Sequence, residues 1–128
     1  MIPKFKAWDK YHEMMVSIIS FDFENKIAYV EQENGDRYDI HFDNLIFLQS
    51  TGLKDKNGVE IYEGDIVLFT IEDGFDYVYG KPGRINLSLQ WGAGVRASSG
   101  GNYPLRKCRE VRIIGNIYEK PELLEAIE

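Results

Sequence analysis

The stretch STGLKDKNGVEIYEGDIVLFTI, residues 50–71, constrains the fold more than any other part of the chain. Asp55-Lys56-Asn57-Gly58 is turn chemistry: an aspartate carboxylate accepts nearby backbone N–H groups, and Asn-Gly tolerates a positive φ. VEIY is a brief extended link, and Glu63-Gly64-Asp65 makes a second turn with Asp65 placed to cap the corner. Ile66 to Ile71 then runs apolar without alternation, which predicts a strand buried on both faces. Two turns delivering such a strand read as β structure, with the strand carried into the core.

The flanking sequence agrees. KFKAWDK reads as a short strand, MMVSIISFDF (Met14 to Phe23) as a buried one, and IAYVEQ as a third. Glu33-Asn34-Gly35-Asp36 is a hairpin turn. Beyond it Tyr38, Ile40 and Phe42 alternate with Arg37, Asp39, His41 and Asp43, the period of a strand with one wet face. NLIFLQS is a further apolar run. The residues from Glu72 to Gly83 are rich in glycine and read as a loop or a loose hairpin tip. INLSLQW alternates, with Ile85, Leu87, Leu89 and Trp91 on one face. GAGVRASSGGNYPL reads as a partly mobile loop. EVRIIGNIY is the last strand, and Gly115 inside it marks a bulge or a close approach. Pro121 opens a short helix whose stripe is Leu123, Leu124 and Ile127. So short a helix has to dock on the sheet.

Aromatic residues make up 13% of the chain, consistent with pleated, half-buried surfaces. The 128 residues suit a single domain, 1–128, with two lobes at 1–50 and 58–128. One cysteine excludes an intramolecular disulfide. No leader-like segment opens the chain and no apolar run is long enough for a bilayer, so a cytoplasmic location without membrane contact is expected.

Net charge is −6, and it is unevenly spread. Between residues 81 and 112, Lys81, Arg84, Arg96, Arg106, Lys107, Arg109 and Arg112 face one acid, Glu110, leaving +6 there and −12 elsewhere. Ser20 to Leu45 alone holds seven acids against Lys26 and Arg37. Such segregation steers a partner or another copy of the chain.

FKAWDK, LQSTGLKDKNGVEIYEGDIV and IGNIYEKPELL together resemble the YopX family of phage and prophage proteins, in the family's order. The middle block is the most specific, and residues 72–107 match least distinctly. The resemblance implies a small protein from bacteriophages or prophages, chiefly of Gram-positive hosts. It also implies a β-rich fold with an SH3-like barrel portion. It brings no catalytic or ligand-binding residues.

The residues offer little chemistry. Asp55 and Asn57 fit the first and third positions of a calcium loop, but Gly58 falls at the fourth and not the sixth. Gly52 and Gly58 fail the phosphate-loop pattern. Glu60, Glu63 and Asp65 read as solvated turn acids and not as a catalytic pair. His41, between Asp39 and Asp43, reads as part of a surface charge ladder, and two distant histidines, His12 and His41, do not suggest zinc. Four bases near Cys108 favour its thiolate, but no histidine is nearby to serve it as a base.

The expected protein is therefore mainly β: an N-terminal antiparallel meander, a small SH3-like barrel begun by GDIV, and a short C-terminal helix. It is expected to be no enzyme and to need no cofactor or metal. A host or phage protein, or a second copy of the chain, is the expected partner. Arg84, Trp91, Arg96, Tyr103, Arg106, Lys107, Arg109 and Arg112 are the expected contact surface. The alternative is a nucleic-acid-binding barrel that uses residues 81–112, with aromatics interleaved among cations as stacking platforms.

Overall fold

A computed structural model of the chain describes residues 5–72, 77–90, 92–97 and 100–125. Its contacts divide into two units, Met1–Gln49 and Ser50–Glu128. Both are built from antiparallel strands, so the mainly-β expectation holds.

The first unit contains β1 (Lys6–Asp9), β2 (Met14–Asp22), β3 (Ile27–Gln32), β4 (Arg37–His41) and β5 (Leu45–Leu48). They form one sheet in the order β4-β3-β2-β1-β5. The meander is the expected one, with β5 added beside β1. A 3₁₀ turn, Phe42–Asn44, precedes β5, so Phe42 and Asp43 leave the β4 alternation. Ala7, Val16, Ala28, Val30, Ile40 and Leu45 form the core. The β2 strand is less buried than its composition predicts: Ile19 stays 44% exposed, next to a bulge between Ile18 and Ser20. The extra residue of a bulge shifts the facing of all that follows.

The second unit opens with a small ladder of β6 (Ser50–Lys54) and β7 (Glu60–Tyr62). It continues with β8 (Asp65–Glu72), β9 (Tyr77–Ser88), β10 (Gly92–Ala97), β11 (Asn102–Pro104), a 3₁₀ turn Leu105–Lys107, β12 (Arg109–Asn116) and α1 (Glu122–Glu125). The main sheet runs β11-β10-β9-β8-β12. Its ends are β11 and β12, and no closed barrel forms among the described residues.

Val67, Phe69, Ile71, Ile85, Val95, Ala97, Leu105 and Val111 pack with Ile61 on one face of this sheet. The β8 run is buried on both sides only at Ile66 and Val67. Beyond them Leu68 and Thr70 are half-buried and the strand alternates. At Gly83 the sheet and core meet so closely that a Cβ would lie 2.3 Å from Val95 Cγ1. The loop or hairpin tip expected over Glu72 to Gly83 is a β8–β9 hairpin whose residues 73–76 lie outside the described residues and whose later part is strand from Tyr77 onward, and the predicted loop after Trp91 is the β10–β11 hairpin. The turn-forming residues serve irregular strands instead. Gly80, at φ +55°, sits where the β8–β9 register shifts, and its N–H donates to Thr70 Oγ1 at 3.2 Å. Leu89 leaves the predicted alternation and lies exposed at the strand end.

Gly115 combines the two properties expected of it. The β12 register shifts between Ile113 and Gly115, and a Cβ there would lie 2.7 Å from Leu123 Cδ1. The short α1 thus docks on the last strand through Leu123, where no side chain intervenes. Ile127, the third member of the expected stripe, lies outside the described residues.

Candidate functional site

Asp55, the obvious ligand candidate, is committed to the backbone. It is buried, and its Oδ1 accepts the N–H groups of Asn57 and Val59, both at 2.9 Å. Its Oδ2 accepts the N–H of Ile113 at 3.2 Å. Burial pushes this carboxyl up, but the N–H groups of Val59, Ile113 and Asn57 outweigh it and hold the group below the usual aspartate value. Asp65 Oδ2 accepts the N–H of Tyr62 at 2.8 Å and closes the second turn. Gly64, at φ +89°, gives that turn its left-handed corner and lies against Tyr118. Glu60 and Tyr62 face each other, and burial beside Glu60 drives the Tyr62 hydroxyl far up.

The outer two blocks carry the same device. In FKAWDK, Asp9 is wholly buried and accepts the N–H of Tyr11 at 2.8 Å, that of His12 at 2.9 Å and the Tyr38 hydroxyl at 2.7 Å. His12 Nδ1 lies 2.6 Å from Asp9 Oδ2. This cluster joins the buried Asp9 to the exposed His12. Its one sequence signal is the spacing of Asp9 and His12 in WDKYH. In IGNIYEKPELL, Asn116 Oδ1 accepts the N–H groups of Tyr118 and Glu119, at 3.0 and 2.8 Å.

Cys108 behaves differently from expectation. Burial raises its thiol to about 11. Its Sγ lies 3.5 Å from the Pro104 carbonyl oxygen. His41 is exposed on β4, and among the described residues no ion pair or hydrogen bond joins it to Asp39 or Asp43.

The basic residues are gathered by strand register. Directly paired antiparallel residues point to the same side of a sheet. Arg84 pairs with Arg96, Arg96 with Asn102, Arg112 with Leu68 and Arg109 with Thr70. Ile85, Val95, Val67 and Phe69 alternate with these positions and point into the core. Arg84, Arg96, Arg109 and Arg112 therefore share the face opposite the core. The irregular register of β12 puts Arg109 and Arg112 on one side although they are three apart, and Glu110 sits there at φ +53°.

Arg106 and Lys107 project from the 3₁₀ turn between β11 and β12. They line a hollow of about 450 Å³ with Asn86, Ser88, Asn102 and the bare backbone of Gly92 and Gly94. A second hollow of about 330 Å³ is lined by Arg84, Arg96, Asn86, Glu63 and Tyr118. Asn86 is common to both, so the two are contiguous along β9. Tyr103 pairs with Val95, and its ring packs against Phe69 at 5.8 Å between centroids. It is half-buried and also borders the hollow of about 450 Å³. Trp91 lies outside the described residues.

The first unit carries a cluster that the sequence reading passed over. Phe21 lies 5.7, 5.2, 6.2 and 6.0 Å from the rings of Phe5, Phe23, Phe42 and Phe47. Phe5, Phe23 and Phe47 stay 50%, 73% and 41% exposed. The close pair Phe21 and Phe23 in FDF is the only local hint of it.

The crystal structure of protein EF1440 from Enterococcus faecalis is similar in fold, with a TM-score of 0.59 and 29% sequence identity. The match covers 97% of this chain and 99% of that one. None of the curated proteins compared with the chain matches it. The family model described as YopX protein matches residues 4–125, spanning all three motif blocks. The chain belongs to the YopX family.

Proposed function

We propose that this is a phage- or prophage-encoded accessory protein that works by binding an acidic protein partner, without catalysis. The observation that carries the reading is the strand register that puts Arg84, Arg96, Arg109 and Arg112 on one sheet face, away from the core. Such a face accelerates and orients encounter with a negatively charged surface. The absence of catalysis is inferred from how the reactive groups are used. Asp55, Asp65 and Asp9 are occupied by backbone and hydroxyl donors, and the Cys108 thiol is raised.

A protein partner is favoured over nucleic acid by the net charge of −6, which repels a polyanion over the rest of the chain. Cytoplasmic action fits this reading. Among the described residues no helix is long and apolar enough to cross a membrane.

The test is quantitative affinity capture from a lysogenic or infected host, comparing the native chain with Arg109→Glu plus Arg112→Glu. The reading requires a captured protein that the double variant loses. An unchanged set of captured proteins contradicts it. Retardation of nucleic-acid probes at low salt, with a steep loss as salt rises, would favour the alternative.

A further inference from the structure

Arg84 and Arg96 are directly opposed on neighbouring strands, with side chains on the same face. Like charges so placed repel and cost stability, unless a counter-charge joins them. Among the described residues neither makes an ion pair; the three ion pairs found there use other side chains. Both guanidinium groups line the hollow of about 330 Å³, and the one acid on its wall is Glu63. Asn86 and Tyr118 lie on the same wall. Two arginines and an amide-bearing side chain thus border a space with a surplus of positive charge.

We propose that this hollow is an anion subsite in which Arg84 and Arg96 together hold one carboxylate of an acidic peptide segment, with Asn86 adding a hydrogen bond. Guanidinium forks match the two oxygens of a carboxylate and hold them more strongly than neutral donors do. The proposal rests on the reading of the arginine face as the contact surface. It specifies where on that face the partner is anchored, and by what group. It also gives a reason for the opposed arginines: the repulsion is relieved when the partner arrives.

The experiment uses the full chain and follows the arginine Nε–Hε resonances by NMR during titration at constant ionic strength. Two probes are used, a hexaglutamate peptide and inorganic phosphate. The subsite requires a saturable shift of both the Arg84 and Arg96 signals with the peptide. Arg96→Gln should weaken peptide binding about tenfold or more, and Glu63→Gln should tighten it by removing the one repelling charge. In the absence of peptide, Arg96→Gln should leave the unfolding midpoint equal to the native value or about 2 °C higher, because repulsion is lost.

A shift that does not saturate, or one that Arg96→Gln leaves within about twofold, overturns the subsite. Saturation by phosphate without saturation by the peptide overturns the carboxylate assignment and marks a phosphoryl ligand. These results are separable from failure of the wider reading. If Arg109→Glu plus Arg112→Glu still abolishes capture while the peptide titration fails, the contact face stands and the subsite falls.

Discussion

Asp55 Oδ2 accepts the backbone N–H of Ile113 at 3.2 Å, joining residues 58 apart in sequence. The same carboxylate holds the turn at Asn57 and Val59 through its other oxygen. Lys56 adds a backbone bond to the Val111 carbonyl oxygen at 2.8 Å. The most motif-like stretch of the chain is therefore a clip that fastens the start of the second unit to its last strand.

Removing that clip should destabilise the protein strongly. Asp55→Ala leaves three donors without their acceptor and is expected to cost about 3 kcal/mol. Urea unfolding at pH 7 measures it. Asp55→Asn keeps the shape but loses the charge, and should cost less.

Acid should weaken the fold through the same groups. Burial raises the Asp9 carboxyl, but the His12 N–H, the Tyr38 hydroxyl and the His12 ring together leave it lowered. Asp55 is lowered as well. A lowered native pKa means that the unfolded chain takes up protons first. The stability these groups give is complete above the ordinary aspartate value of about 3.9 and is lost as pH falls through the lower native values. Urea midpoints measured from pH 7 down to pH 2 should fall below about pH 4, and the fall should be shallower in Asp55→Asn.

Tyr38→Phe isolates one bond of the first cluster. It removes the hydroxyl that donates to Asp9 at 2.7 Å and keeps the ring. The expected cost is about 1–2 kcal/mol, because the lost donor served a charged acceptor. Asp9→Ala should cost more, since it strands the N–H groups of Tyr11 and His12 as well. Thermal unfolding of the two variants orders them.

Cys108 should react slowly in the folded protein. A thiol raised from 9.0 to about 11 presents about a hundredfold less thiolate at pH 8. Alkylation by iodoacetamide, followed by mass spectrometry, should be slow in buffer and fast in denaturant.

Much of the fold was legible because local chemistry and tertiary placement agreed. The Asn34-Gly35 hairpin, the alternation at Tyr38 and Ile40, and the bulge and close approach at Gly115 all follow from residue type. After Glu72 the chain does turn back as a β8–β9 hairpin, but Gly80, Pro82 and Gly83, which signal turns locally, sit within the irregular long strand β9. The β6–β7 ladder leaves little local signal because its strands are short and its register shifts between Ser50 and Lys54, where Thr51 Oγ1 donates to the Ile61 carbonyl oxygen at 2.8 Å. The basic segment was recognisable from charge alone. Its sorting was not, because the irregular register of β12 decides that Arg109 and Arg112 join Arg84 and Arg96. Tyr103 packs on Phe69 and still borders the hollow lined by Arg106 and Lys107, a placement that only the β10–β11 pairing reveals.

The central claim is that the motif blocks build the fold while the arginine face makes the contact. Its most direct test replaces Arg84, Arg96, Arg109 and Arg112 together by glutamine and measures both partner capture and the unfolding midpoint. The account predicts that capture falls about tenfold or more while the midpoint is kept or raised. Capture equal to that of the native chain, with the fold intact, would contradict it.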